Sequence, residues 1–288
     1  MKKICAVIVS YNPDELIEKC ASSAVSQVDE LLIVDNGSRK EKMVILRQLE
    51  KKFEKIKLIL NKENLGIATA LNQEIKYVIK NKYDWLLTLD QDSILEKDMI
   101  EKMLKVYNRL SQKDQKKVGI LARNYKTIKG LAYKQKRNIQ IVPVAITSGQ
   151  LVKISLFEKI GYYKDKLFIE CIDNEFCLRA KKNGFSTLLV SGAILNQRIG
   201  DNPKVKKVFG KKFVVSGHSP IRFYYIFRNS IYLYKKYLFV APKWILNNIF
   251  SNTKLIFKIL FFEDKTLKKI SMVIKGTLHG LINHYEIK

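Results

Sequence analysis

Residues 3–90 alternate short apolar runs with amphipathic helical patterns, and few folds accommodate that alternation. KICAVIVS (3–10), LLIVD (31–35), KLIL (57–60) and DWLLTLD (84–90) have the length and leucine/β-branched content of buried strands. Between the first two, Leu16, Ile17, Cys20, Ala21, Ala24 and Val25 recur on one helical face. Asn12-Pro13-Asp14-Glu15 predicts that helix's start: an N-cap, a proline at the first helical position and first-turn acids. Further helices are predicted over 41–54 and 65–80. Strand–helix alternation of this kind gives parallel βαβ units with right-handed crossovers, so the fold class is α/β.

Ligands of such sheets bind beyond the carboxyl ends of the strands. Three of those ends are polar: Ser10-Tyr11-Asn12, Asp35-Asn36-Gly37-Ser38 and Asp90-Gln91-Asp92. Neither GxGxxG nor GxxxxGK[ST] occurs, which argues against a dinucleotide dehydrogenase and a P-loop NTPase. The site is acidic instead, and acid binds a pyrophosphate only through a cation such as Mg²⁺. In LLTLDQDS (86–93) a strand period of two sets Asp90 and Asp92 on one side and Gln91 on the other. Two such carboxylates repel unless something positive lies between them. A polar turn leading into the next helix is the alternative.

After residue 118 the pattern turns mixed, and from about 218 it is helical, aromatic and basic. The expected organisation is one α/β domain over 1–217 and a helical, basic, amphipathic extension over 218–288. Net charge is +26, and residues 204–288 hold 17 Lys and Arg against 3 Asp and Glu. Such a balance calls for an anionic partner: nucleic acid, acidic lipid or a nucleotide-linked substrate. Cys5, Cys20, Cys171 and Cys177 form no CxxC pair and read as buried thiols of a reducing cytoplasm. Six apolar residues before Ser10 are too few for a signal peptide, and no run reaches the ~18 of a membrane span. The expected location is cytoplasmic.

Seven segments in order, VIVSYNPD, IVDNGS, ENLGIATALN, TLDQDS, ITSGQLV, LFIECIDNEFCLRAKKNGF and HSPIRFYYIFRN, carry a family likeness. Over roughly residues 4–230 the chain resembles the inverting family 2 glycosyltransferases, and most of all their bacterial rhamnosyltransferase branch. The resemblance implies a GT-A fold: a Rossmann-like nucleotide-binding domain with a mixed central sheet, here followed by the helical C-terminal extension. It implies that Ser10, Tyr11 and Asn12 line a base pocket and that Asp35 contacts base or ribose. Asn64, Leu65 and Gly66 would pass close to the nucleotide, with Gln91 also on the donor side. Asp90 would bind ribose or metal, and Asp92 the divalent metal bridging the two phosphates. Asp173 would be the catalytic base. Ser148, Gly149, His218 and Arg222 fall on the phosphate and acceptor side.

Relatives often carry an HxxG histidine that joins the metal; here the stretch is Gln197-Arg198-Ile199-Gly200, which makes Gln197 the ligand position. An amide oxygen in place of imidazole favours Mg²⁺ over Mn²⁺. The implied donor is dTDP-rhamnose, with a UDP-hexose or galactose donor as alternative. The implied acceptor is a lipid-linked or cell-surface polysaccharide hydroxyl.

Each assignment has a plainer counterpart. Asp173 and Glu175 also suit the first turn of a helix running to Asn183, and Arg179 could pair with Glu175 at i,i+4. RFYYIFRNSIYLYKKY resembles a nucleic-acid surface, but Phe223, Ile226, Phe227, Ser230, Ile231 and Tyr234 recur at helical spacing and are expected to pack, leaving nucleic acid out. In the tail, Trp244, Ile245, Ile249, Leu255, Ile256, Ile259, Leu260, Phe261 and Phe262 give apolar faces between Lys243, Lys254, Lys258, Lys265, Lys268 and Lys269. That pattern fits helices packed on the catalytic domain, or a peripheral helix pair on an anionic membrane surface at the inner face.

Overall fold

The structure is a computed structural model that describes residues 2–127, 130–132, 138–197, 204–208, 211–215 and 217–285. The chain forms two compact units, residues 1–165 with 173–198, and residues 166–172 with 199–288.

The first unit opens with the expected alternation: β1 (Ile4–Ser10), α1 (Leu16–Val25), β2 (Glu30–Asp35), α2 (Lys40–Lys52), β3 (Ile56–Leu60), α3 (Ile67–Lys80) and β4 (Trp85–Asp90). β1 pairs in parallel with β2 and β4, and β2 with β3. β2 is buried along its whole length, and β1 and β4 at every position but one. Continuous apolar runs of this sort belong to strands covered on both faces. α1 buries Ile17, Cys20, Ala21 and Ala24 against the sheet. It begins three residues later than a cap at Asn12 and a proline at the first helical position predict. Asn12 adopts φ 46° and spends its polar groups elsewhere, its N–H on the Ser38 hydroxyl and its side-chain oxygen on the Arg39 N–H.

After β4 the topology changes. β5 (Ser93–Leu95), α4 (Met99–Asn108), α5 (Gln112–Lys117), β6 (Val118–Thr127), β7 (Gly130–Leu131), β8 (Ile139–Val142), β9 (Gln150–Lys153), α6 (Ile154–Ile160), α7 (Ile172–Lys182) and β10 (Ser186–Gln197) complete the order. The sheet order is β3-β2-β1-β4-β9-β6-β10-β5, with β9 antiparallel to both β4 and β6. The sheet is therefore mixed, as the resemblance implies. Its main core holds Ile8, Ile33, Leu87, Leu121, Leu151 and Met103, and Trp85 packs edge-on against Tyr107 with ring centres 5.1 Å apart.

The second unit contains the hairpin β11 (Lys204–Val208) and β12 (Lys211–Val215), then α8 (Pro220–Tyr237), α9 (Pro242–Phe262) and α10 (Thr266–Leu281). Phe223 and Phe227 of α8, Ile259 of α9 and Val273 of α10 form its apolar centre, with Ile226, Leu255, Ile256 and Ile270 around them. Gly276 and Gly280 let α10 lie directly on α8: a Cβ at Gly276 would sit 2.3 Å from the Tyr224 carbonyl oxygen. The spacing-based expectation that the α8 aromatics pack holds for Phe223, Phe227 and Ser230, which are buried, and Tyr224, Tyr225 and Tyr232 join them.

The tail reading needs one correction. Ile245 and Ile259 lie in the interior, and Lys269 is buried in an ion pair with Glu263, so these three residues present nothing to a membrane. The outward row of α9 is instead Leu246, Ile249, Phe250, Phe257, Leu260 and Phe261. Among the described residues no helix is long and apolar enough to cross a membrane.

Candidate active site

The parallel register brings the three polar strand ends level. Ser10 of β1 pairs with Asp35 of β2, Asp35 with Leu60 of β3, and Val9 lies beside Asp90 of β4. Side chains fasten the loop after each strand to its neighbours. The Gln91 amide oxygen accepts from the Ser10 hydroxyl (3.2 Å) and the Tyr11 N–H (2.9 Å), so Gln91 turns toward β1. Asp35 accepts from the Ser38 N–H at 3.0 Å and from the Ser38 hydroxyl. Ser38 in turn accepts from the Asn12 N–H at 2.7 Å.

These bonds divide the predicted nucleotide residues. Tyr11 is 48% exposed, whereas Ser10 and Asp35 are buried and hold the loops that carry it. Asn36, buried as well, is a residue that the reading by strand ends left without a role. Its amide donates to Asn64 Oδ1 (3.0 Å), its oxygen accepts from the Leu65 N–H (3.1 Å), and Asn64 Oδ1 also accepts from the Gly66 N–H (3.0 Å). The expected Asn64-Leu65-Gly66 turn is thereby tied to the end of β2. Gly37 is required there: at φ 84° its missing Cβ would meet the Glu63 carbonyl carbon at 2.6 Å. Asn36 was signalled only by its place in Asp35-Asn36-Gly37-Ser38, among polar residues ending an apolar strand.

β4 stops at Asp90, and Gln91 and Asp92 form a two-residue turn into β5. The strand period therefore does not extend through Asp92, and the turn leads into a strand where a helix was expected; Asp90, Gln91 and Asp92 are all half-buried. Ser148 and Gly149 lie behind the turn. The Ser148 hydroxyl accepts from the Asp90 N–H (3.0 Å) and contacts the Ser93 hydroxyl (2.6 Å), while the Gly149 N–H donates to the Thr88 carbonyl (2.7 Å). Arg123 closes over this corner, its Nε donating to the Ser148 carbonyl at 2.9 Å. Ser148 is fully buried, so it supports the aspartate turn from within.

The chemistry of this corner suits a hard divalent cation. Asp90 and Asp92 supply carboxylate oxygens, and their charges help burial push the Cys20 thiol far above its ordinary range. The backbone of Gln197 pairs with Ser93, next in the chain to Asp92, while its side chain lies outside the described residues. Arg198, Ile199 and Gly200 lie outside them too. Among the described residues no group of three His, Cys, Asp or Glu gathers.

Asp173 and Glu175, alike in sequence, part company in the structure. Asp173 is half-buried in the first turn of α7, with Oδ1 accepting from the Asn174 N–H at 2.7 Å. Glu175 is fully buried and ion-paired with Arg179, whose guanidinium also donates to the carbonyls of Ile160, Gly161 (3.0 Å) and Tyr162 (2.7 Å). The i,i+4 pair is thus an interior fastening between α6 and α7. Just before α7, Phe168, Glu170 and Cys171 all have φ near +60°. Non-glycine residues there cost of order 1–3 kcal/mol each and persist only where their surroundings impose them. Arg222, expected on the phosphate side, forms a salt bridge with Glu170, and the His218 ring centre lies 6.2 Å from that of Phe223.

Known proteins share the sequence pattern and the fold of this chain. Residues 5–165 match the sequence profile described as glycosyl transferase family 2. The dTDP-rhamnosyl transferase RfbF of Shigella flexneri is 28% identical over 81% of this chain and 80% of its own length. The low-salt glycan biosynthesis hexosyltransferase Agl10 of Haloferax volcanii is 26% identical over 96% and 90%. The crystal structure of S. aureus TarS 1–349 in complex with UDP-GlcNAc superposes with TM-score 0.61 at 17% identity, covering 96% of this chain and 81% of that one. GalNAc-T7 with UDP, GalNAc and Mn²⁺ gives 0.60 at 13% identity over 81% and 48%. These likenesses establish the fold as GT-A.

Proposed function

Because the chain belongs to glycosyl transferase family 2, we propose that it moves rhamnose from dTDP-rhamnose to a hydroxyl of a lipid-linked or cell-surface polysaccharide acceptor, with inversion in a single displacement. The observation that carries the reading is the level alignment of Ser10, Asp35 and Asp90, with Gln91 bridging the ends of β1 and β4. Tyr11, Asn12 and the Asn64-Leu65-Gly66 turn are the groups on which a nucleotide would rest. Asp90 and Asp92, with Gln197, would hold Mg²⁺. When bound, the cation neutralises charge on the leaving diphosphate. Asp173 takes the acceptor's proton, which makes a weakly nucleophilic hydroxyl reactive near neutral pH. Ser148 and Gly149 keep the aspartate turn in place, and His218 and Arg222 belong to the acceptor side.

Rhamnose rests on the likeness to RfbF, whose name states that donor. A UDP-hexose donor is the second reading, supported by the hexosyltransferase relative that covers nearly the whole chain. A donor screen decides between them. Purified protein with Mg²⁺ should release nucleotide fastest from dTDP-rhamnose among dTDP-rhamnose, UDP-glucose, UDP-galactose and UDP-GlcNAc. Preference for a UDP-sugar overturns the rhamnosyl assignment, and no release from any of them overturns the reading as a transferase of these donors.

The acceptor class is tied to α9. Its outward face presents Phe250, Phe257 and Phe261 at 58–69% exposure beside Leu246 and Leu260, and the helix has no Asp or Glu. Lys243, Lys254 and Lys258 flank that face, with the Lys254 ammonium 4.1 Å from the Phe250 ring centre. A helix of this composition lies in the headgroup region, each lysine adding about 1 kcal/mol near an anionic surface. The protein would then sit peripherally on the inner face of the cell membrane, within reach of a lipid-linked acceptor. Liposomes with anionic lipid should co-sediment it at low salt, and Phe250→Ser with Phe257→Ser should release it. Equal sedimentation of wild type and variant removes α9 from the interface.

A further inference from the structure

α8 buries two strongly polar side chains, Arg228 and Asn229, both 0% exposed, in a helix otherwise packed by aromatic rings. Burying a guanidinium and an amide is unfavourable unless their hydrogen bonds are met, so what they bond to is informative. Asn229 Nδ2 lies 3.0 Å from the carbonyl of Leu167, 2.8 Å from that of Ile169 and 2.9 Å from that of Glu170. Arg228 Nη2 donates to the carbonyls of Lys166 (2.8 Å) and Leu167 (3.2 Å), and its Nε donates to Asn229 Oδ1 at 3.0 Å. Around them, the Phe168 ring stacks on Tyr225 at 5.2 Å, and Glu170 is ion-paired with Arg222.

Apart from the Arg228–Asn229 bond, these interactions converge on residues 166–170. That stretch contains Phe168 and Glu170, two of the three positive-φ residues before α7, and Cys171, the third, comes directly after it. Lys166 and Leu167 end a one-turn 3-10 helix (Asp165–Leu167), and the Ile169 N–H bonds the Leu167 carbonyl at 2.7 Å, so the remaining carbonyl capacity of the stretch is met by donors from elsewhere. Arg228 and Asn229 supply them. The strained stretch ends two residues before Asp173, and α7 starts between them at Ile172.

We propose that Arg228 and Asn229 are positioning residues, which hold residues 166–170, with their left-handed turns at Phe168 and Glu170, and thereby fix where α7 begins and where Asp173 stands. The inference rests on the reading of Asp173 as the base. A base must meet the acceptor hydroxyl within hydrogen-bond reach, and a displacement of about 1 Å costs on the order of 100-fold in rate. Neither residue touches substrate in this assignment.

The test uses the full chain and the sugar nucleotide that gives turnover, with water or an alkyl glycoside as acceptor. Asn229→Ala removes the clamp, and Asn229→Asp, equal in volume, removes its N–H donors while keeping the site filled. Both should lower kcat by about 10–100-fold with donor KM within about 2-fold, since only the approach of base to acceptor is disturbed. Amides of residues 167–172 should exchange with deuterium faster in both variants, while the remainder of α8 keeps its protection in Asn229→Asp. Unchanged kcat, unchanged exchange at 167–172, or a donor KM that rises in step with the loss of kcat each overturns the proposal. Asp173→Asn is measured beside them. Full activity in Asp173→Asn refutes the base assignment itself, whereas an inactive Asp173→Asn with a fully active Asn229→Asp refutes only the clamp.

Discussion

Glu74 should make this protein lose stability as pH rises from about 4.5 to about 7. The residue lies on the sheet-facing side of α3 among Leu71, Ile75 and Val78, with 0% exposure. Neither carboxylate oxygen has a hydrogen-bond partner. Burial raises its carboxyl from 4.5 to about 7. Below about 4.5 both the folded and the unfolded chain hold the proton, and the group has no effect. Between the two values the unfolded chain ionises while the folded one keeps its proton, so stability falls; above about 7 the loss is complete. At about 1.4 kcal/mol per pH unit the full effect is about 3 kcal/mol. Glu74→Gln removes the titration and retains the shape. Its stability relative to wild type should therefore grow from near zero at pH 4.5 to about 3 kcal/mol at pH 8. Urea unfolding of both proteins followed by circular dichroism at matched pH values measures the gap. A gap that stays flat with pH, or shrinks as pH rises, means that the carboxylate is ionised and compensated in the fold, and the reasoning fails.

Asp92→Asn should cost about 3–4 kcal/mol of transition-state stabilisation, read as kcat with excess Mg²⁺, at unchanged unfolding midpoint; full activity in the variant, or in wild type with excess chelator, would contradict it. Asp173→Asn should abolish transfer while nucleotide binding and stability persist. Glu175→Gln should instead lose about 3–5 kcal/mol of stability, because it leaves the buried Arg179 guanidinium without its counter-charge, while the folded fraction keeps its kcat. Gly276→Ala should destabilise by at least about 1–3 kcal/mol in thermal unfolding, since its Cβ would lie 2.3 Å from a backbone oxygen of α8; Gly192→Ala, with nothing within 4 Å, should shift it by less than about 0.5 kcal/mol.

Local periodicity was enough to read the strand–helix half of the sheet, because β1, β2 and β4 are covered on both faces and their apolar runs stand alone. Long-range pairing was not readable in the same way. QLVK offers no sign that β9 lies antiparallel between β4 and β6, since its partners are settled by strands far away in the chain. Residue chemistry was legible by position more than by burial. The strand ends identified Ser10 and Asp35, but a sequence does not show that Ser38 occupies the Asp35 carboxylate or that Ser10 is sealed from solvent. Asn12 reads as a helix cap because Pro13 comes next; the neighbouring Ser38-Arg39 loop, 26 residues away, takes its hydrogen bonds instead. Lys269 reads as one more surface lysine, and only the fold brings Glu263 against it.

The late arrival of β9 bears on the birth of the protein. β4 is complete at residue 90, but the strand that covers its outer edge ends at Lys153. At a translation rate of roughly 5–20 residues per second, WLLTLD waits for several seconds with one row of backbone donors and acceptors unpaired. An apolar strand edge of that kind recruits whatever strand is nearest, including those of other nascent chains. Ribosome stalling or premature termination between residues 90 and 150 would thus yield fragments that aggregate, whereas chains released after β9 can cap that edge internally.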